Sequence, residues 1–140
     1  AFATFVLNSG VTLVIRTNFS NEPGMPRPSY NAKNWSQLGI RHENIRYVDK
    51  NGGLPDAASI ASLLLADQRV RNENPGAMLI HCKGGFGRSV VLACCLAIYR
   101  HDVPGSALLG WTRIARPGAV TNAHQEKFLM SLQGRSDVTS

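Results

Sequence analysis

The segment His81-Cys82-Lys83-Gly84-Gly85-Phe86-Gly87-Arg88-Ser89 decides how this chain is read. Ahead of it, Ala77 to His81 is an apolar run that follows the breaker Asn74-Pro75-Gly76, which suits a buried parallel strand. Behind it, Ser89 to Tyr99 is apolar almost all round and predicts a central buried helix. The segment therefore joins the carboxyl end of a strand to the amino end of a helix, where free backbone N–H groups converge. Gly84, Gly85 and Gly87 let the backbone curl with few side chains in the way. Such a nest holds phosphate oxygens, with Lys83, Gly84, Gly85, Phe86, Gly87 and Arg88 as its binding residues. Arg88 adds a planar, two-pronged donor that lysine cannot copy. The same positive surroundings favour a thiolate at Cys82, well below the ordinary thiol pKa of ~8.5.

A bare Cys-x5-Arg arises readily by chance in an Arg-rich chain with three cysteines. The leading His81, the glycine spacing, the trailing Ser89 and the strand–helix setting are independent of that spacing, and together they carry the phosphate-binding reading. A nucleotide-type Gly-Lys-Ser/Thr loop is absent.

Working outward, Val11 to Arg16 predicts a strand. Thr17 to Ser29 holds Pro23, Gly24, Pro26 and Pro28 and reads as a loop. Tyr30 to Leu38 reads as a short helix closed by Gly39. Ile45 to Val48 reads as a strand, with Ile40 as the outer limit of its start. Pro55 is placed as the first residue of a helix whose apolar side is Ile60, Leu63, Leu64 and Val70. Helices are expected over Gly105 to Ala115 and Asn122 to Leu132, separated by Arg116-Pro117-Gly118. Strands alternating with helices imply an α/β fold with a mainly parallel central sheet flanked by helices.

The 140 residues fit one domain, with 44% apolar content for its core. No apolar run approaches the ~18 residues of a membrane span. Eleven arginines and four lysines against nine acids give a net charge of +6. That balance favours anionic partners: phosphate or sulfate, phosphorylated protein, phosphoinositide headgroups or RNA. Ordinary solubility charge explains it equally well, and no aromatic–basic interleaving speaks for nucleic acid. Cys82, Cys94 and Cys95 form no disulfide framework, and no cysteine–histidine cluster suggests zinc. No metal or cofactor is called for, and a reducing, intracellular setting is the natural inference. Only three strands are legible, and Ala1 to Asn8 reads as the end of a helix. Sequence ahead of Ala1 is therefore expected to supply at least one more strand, within a larger polypeptide or complex.

His81-Cys82-x-x-Gly85-x-x-Arg88-Ser89 resembles the signature of protein tyrosine and dual-specificity phosphatases. Tyr30, Ala32, Lys33, Trp35, Gly39, His42 and Asp49, with Trp111, Arg113 and Arg116-Pro117-Gly118, are similar to the cell-division-cycle-fourteen branch. The helix from Ser89 to Cys95 is similar to that of the cyclin-dependent-kinase-associated phosphatase. Thr17 to Ser29 and Lys50 to Leu54 are longer than that branch normally has. The resemblance implies attack by Cys82, a phosphocysteine intermediate, Asp49 as the acid for the leaving group, and Gln125 as the residue that positions the second-step water. Ser89 is suited to hydrogen-bond the departing thiolate, and His81 to orient the loop. Asp56 is the rival acid, although after Pro55 it more naturally serves the first turn of a helix. The leading expectation is a protein phosphatase. Phosphoinositide or RNA 5′-phosphatase activity, or a non-catalytic phosphate-binding module, remain the alternatives.

Overall fold

In the computed structural model, residues 2–19, 30–47 and 53–140 are described. The elements follow as α1 (Phe2–Asn8), β1 (Val11–Arg16), α2 (Lys33–Ser36), β2 (Arg41–Asn44), α3 (Ala57–Glu73), β3 (Ala77–His81), α4 (Arg88–His101), α5 (Gly105–Ala115), α6 (Ala123–Ser131) and α7 (Arg135–Thr139). The three described strands pair in the order β2-β1-β3, with both pairings parallel.

β1 is the central strand, and its alternation builds the layers. Leu13 and Ile15 face α3 and α4 and pack with Leu63, Ala66, Val70, Leu92 and Leu96. Val14 points to the opposite face and packs with Val6 of α1, Trp35 of α2 and Ile40. Burial on both faces explains why the strand reads as a nearly continuous apolar run. Beyond the sheet, α4 carries a second core in which Val91, Cys94, Cys95 and Ile98 meet Leu109, Leu129, Leu132 and Val138. Asp67 of α3 is buried in ion pairs with Arg71 and Arg100, which ties α3 to α4.

β1, β3 and α5 have the bounds expected from the sequence. The strand expected to end at Val48 and to start as early as Ile40 has its regular part at Arg41–Asn44, and Val48 lies outside the described residues. Ile45 and Tyr47 still donate backbone hydrogen bonds to Arg16 and Thr17, so the chain runs on beside β1 after the regular ladder ends. The apolar side chains of Ile45 and Tyr47 reflect burial against α3 and α4, not strand register. α3 begins at Ala57 and not at Pro55 as expected, because Asp56 caps it, its carboxylate accepting from Ser59 N at 2.8 Å. α2 is shorter than expected, and α7 has no counterpart in the sequence reading.

Two glycines in α5 give a test of this packing. A Cβ at Gly105 would lie 1.9 Å from the Leu129 carbonyl oxygen, whereas one at Gly110 meets nothing within 4 Å. Gly105→Ala should cost about 1–3 kcal/mol or more by overpacking. Gly110→Ala should stabilise by about 0.5–1 kcal/mol through helix propensity. Denaturant midpoints moving in opposite directions would bear this out.

Candidate active site

The nucleophile candidate sits where β3 ends and α4 begins. Gly85 has a φ of +74°, which glycine adopts without the steric cost a Cβ would bring, and its N–H donates to Cys82 Sγ at 3.2 Å. Ser89 Oγ lies 3.3 Å from the same sulfur, in the first turn of α4. Burial pushes the Cys82 thiol up. The hydrogen bonds from Ser89 and Gly85, with the Arg88 charge behind them, outweigh it and hold the thiol below its ordinary value. Cys94 and Cys95 show the opposite balance: burial raises both thiols, Cys95 to about 12, as expected of core cysteines.

Cys82, Lys83, Gly84, Phe86, Gly87, Arg88 and Gln125 line one hollow of about 410 Å³. A larger groove of about 560 Å³ lies beside it, lined mainly by Phe2, Tyr30, Trp35 and Leu79. The titratable residues lining that groove are Tyr30 and His81, whereas the smaller hollow carries Cys82, Lys83 and Arg88. Arg88 is buried, and its Nη1 donates to the Tyr47 carbonyl at 3.2 Å, while the Tyr47 hydroxyl donates to the Arg88 carbonyl at 2.5 Å. Tyr47 thus anchors Arg88 by both backbone and side chain. It read in the sequence only as part of a strand, and nothing local marks its reach across 41 residues.

Gln125 is buried in α6. Its Nε2 donates to Gly53 O at 3.1 Å, and its Oε1 lies 3.0 Å from where a Cβ on Gly87 would be. Asn122 caps α6 and sets that position, its Oδ1 accepting from His124 N and Gln125 N. Asp49 lies outside the described residues. Asp56 is committed to the α3 cap, and its hydrogen bonds from Ser59 hold its carboxyl below the usual range. Among the described residues, no group of three or more His, Cys, Asp or Glu could hold a metal ion, and no helix is long and apolar enough to cross a membrane.

His81 is held through Tyr30, whose hydroxyl lies 2.6 Å from His81 Nε2 and 2.8 Å from His42 Nε2. His81 Nδ1 lies 3.4 Å from the Cys82 carbonyl, which can only accept. Nδ1 therefore carries the proton, Tyr30 donates to His81 Nε2, and His42 Nε2–H donates to Tyr30. Burial pushes the Tyr30 phenol up, so it remains a donor. Burial also lowers both imidazoles, His42 to about 4, helped there by the Arg16, His81 and Arg46 charges. Thr17 completes the anchorage, donating through N and Oγ1 to the His81 carbonyl, each at 2.9 Å.

A parallel sheet whose strand ends in a glycine-rich loop around a cysteine sulfur, with a buried arginine beside it, places the molecule in the dual-specificity and protein tyrosine phosphatase superfamily. A model of the cyclin-dependent kinase inhibitor 3 (CDKN3) family matches residues 29–107, more than half of the chain, and the chain belongs to that family. Its relatives place it near the CDC14 branch. The tyrosine-protein phosphatase CDC14 homolog of Schizosaccharomyces pombe is 31% identical over 121 residues, 86% of this chain and 20% of the relative. The human dual specificity protein phosphatase CDC14C is 27% identical over 129 residues, 92% of this chain and 26% of the relative. The chain thus spans about a fifth to a quarter of these relatives' length. Among solved structures, kinase-associated phosphatase with its catalytic-site cysteine changed to serine superposes with a TM-score of 0.75 at 25% identity, covering 91% of this chain and 71% of that one. PTPMT1 superposes at 0.76 and 20% identity, covering 96% and 82%, and shares the fold.

The histidine–tyrosine chain predicts a pH dependence. His42 takes up a proton near 6.5 when unfolded but only near 4 when folded, so the unfolded state binds more protons between those values. Stability should therefore fall as pH drops from 6.5 towards 4. His42→Gln, which keeps an N–H for Tyr30, should flatten that limb in thermal melts. An unchanged slope would remove His42 as its source.

Proposed function

We propose that this domain hydrolyses phosphate monoesters on proteins through a phosphocysteine at Cys82. The observation that carries this reading is the double hydrogen bonding of Cys82 Sγ by Gly85 N and Ser89 Oγ at the start of α4, with Arg88 buried alongside. The protein-phosphatase names of the CDC14 relatives support the substrate class.

In the first step the Cys82 thiolate attacks phosphorus in line, the S–P bond forms and the P–O bond to the substrate breaks. The loop N–H groups and the Arg88 guanidinium stabilise the charge on the equatorial oxygens. Asp49 gives its proton to the departing oxygen. In the second step water, positioned by Gln125, attacks phosphorus and passes a proton back to Asp49. The S–P bond breaks, inorganic phosphate leaves, and Ser89 Oγ–H stabilises the returning thiolate. The engagement of Asp56 as a helix cap supports Asp49 as the acid. His81 holds the loop and needs no part in proton transfer, because the thiol is already biased towards ionisation. Three free cysteines suit a reducing intracellular setting.

Turnover assays on phosphotyrosine and phosphoserine peptides, phosphoinositides and 5′-phosphorylated RNA test the reading. Preference for a lipid or RNA would reassign the substrate, and binding without turnover would indicate a phosphate-binding module. Cys82→Ser should abolish turnover yet still bind phosphate, and full activity in that variant would sink the thiolate mechanism. Arg88→Lys should lose most activity, since a point charge cannot clamp two oxygens.

Asp49→Ala should lower kcat by about 10²–10⁴-fold on alkyl phosphates, and much less on esters with good leaving groups. An equal loss on both would move the acid role elsewhere.

A further inference from the structure

The crown of the phosphate loop is gripped by the connector between α5 and α6. Arg116 Nε donates to the Gly85 carbonyl at 3.3 Å, and its guanidinium carbon sits 4.0 Å from the centre of the Phe86 ring. Its Nη2 lies 3.4 Å from where a Cβ on Gly85 would be, so the guanidinium sits close against that residue. Two residues on, Gly118 faces the Phe86 ring, and a Cβ there would lie 3.6 Å from the ring's Cε1. Val120 N then donates to the Phe86 carbonyl at 2.7 Å. The connector thus reaches Phe86 through a stack, a close approach and a backbone hydrogen bond.

The backbone here is held at a cost. Val120 is fully buried with a φ of +57°, a conformation a β-branched residue avoids, at about 1–3 kcal/mol. It is fixed from both sides, by Phe86 O at its N–H and by Arg113 Nη2 at its carbonyl, the latter at 2.7 Å. Arg113 also donates to Ala119 O and pairs with Glu126 of α6.

We propose that Arg116 is a positioning residue for the nucleophile: by holding the Gly85 carbonyl and stacking on Phe86, it keeps the Gly85 N–H directed at Cys82 Sγ. This role rests on reading Cys82 as the attacking group. Gly85 needs an outside hold because its φ of +74° leaves it the conformational freedom that other residues lack. Pinning the carbonyl fixes the Gly85–Phe86 peptide plane, which restrains how far the preceding plane, with its N–H, can turn away from the sulfur. Lysine cannot replace Arg116, since an ammonium has neither a planar face for the ring nor the Nε donor. The other charged or titratable groups around Cys82 among the described residues are Arg88 on α4, Lys83 on the loop and His81 on β3.

The test is the pH dependence of Cys82 alkylation by iodoacetamide, followed on the Cys82 peptide by mass spectrometry, with kcat/KM measured on the same samples. At about pH 6, Arg116→Ala should slow alkylation about tenfold, the loss expected for one charge-assisted hydrogen bond, with rates converging at alkaline pH. The acid limb of kcat/KM should move to higher pH in step. Arg116→Lys should behave like the alanine variant. An unshifted profile in Arg116→Ala, or a wild-type profile in Arg116→Lys, would overturn the proposal, the second by showing that charge alone suffices. Phe86→Leu removes only the ring beneath the guanidinium and should slow alkylation to an intermediate degree. A wild-type profile there would also reject the clamp, even if Arg116→Ala does not fold. Alkylation shifts without any phosphate turnover would remove the proposed reaction and keep the role of Arg116. Turnover with unshifted alkylation would do the reverse.

Discussion

Cys82 Sγ stands at the amino end of α4 and receives the Gly85 N–H and the Ser89 hydroxyl. Keeping an ionisable sulfur half-buried is costly unless donors face it. Much of the surrounding structure serves to keep those donors in place. β3 delivers the cysteine, and Thr17 of the neighbouring chain segment ties down the His81 carbonyl just before it. α4 supplies the free N–H groups of its first turn. Its apolar body, from Val91 to Ile98, locks that turn between the sheet and the outer helices. A shift of α4 along its axis would move every donor away from the sulfur at once.

Three separate segments brace this junction from different directions. Tyr47, following β2, bonds Arg88 through its carbonyl and its hydroxyl. Tyr30, ahead of α2, bonds His81 and passes its orientation on to His42. Arg116 and Val120, after α5, hold Gly85 and Phe86. Each brace meets the loop or the residue before it, and the hollow itself is lined by Cys82, the loop, Thr121, Asn122 and Gln125. Such division lets the binding surface keep its donors for a ligand while its geometry is set from outside.

The loop and its two flanking elements were legible because their chemistry is local. Strand, glycine nest and apolar helix are contiguous, and the period and breakers of the sequence mark each boundary. Asp56 was legible as a helix-start residue, although it stands as the cap ahead of Ala57 and not inside a turn begun by Pro55. The strand before Asp49 starts near its early limit at Ile40, and the apolar stretch from Ile45 lies past the regular ladder because Ile45 and Tyr47 pack against α3 and α4 from outside it. Periodicity records burial, and here burial continues after the hydrogen-bonded strand stops.

The amino-acid sequence by itself determined the parallel α/β class, the glycine-rich loop between β3 and α4 and the identity of its cysteine and arginine, since all of these follow from neighbours in the chain. Tertiary structure alone decided which distant residues would hold that loop. Tyr30, Tyr47 and Arg116 lie 51, 41 and 31 positions from their partners. Their reach depends on how the sheet stacks strands side by side and how α5 folds back over α4. Val120 is the clearest case: nothing in a valine announces a left-handed backbone, and only the contacts closing on it from Phe86 and Arg113 hold it there.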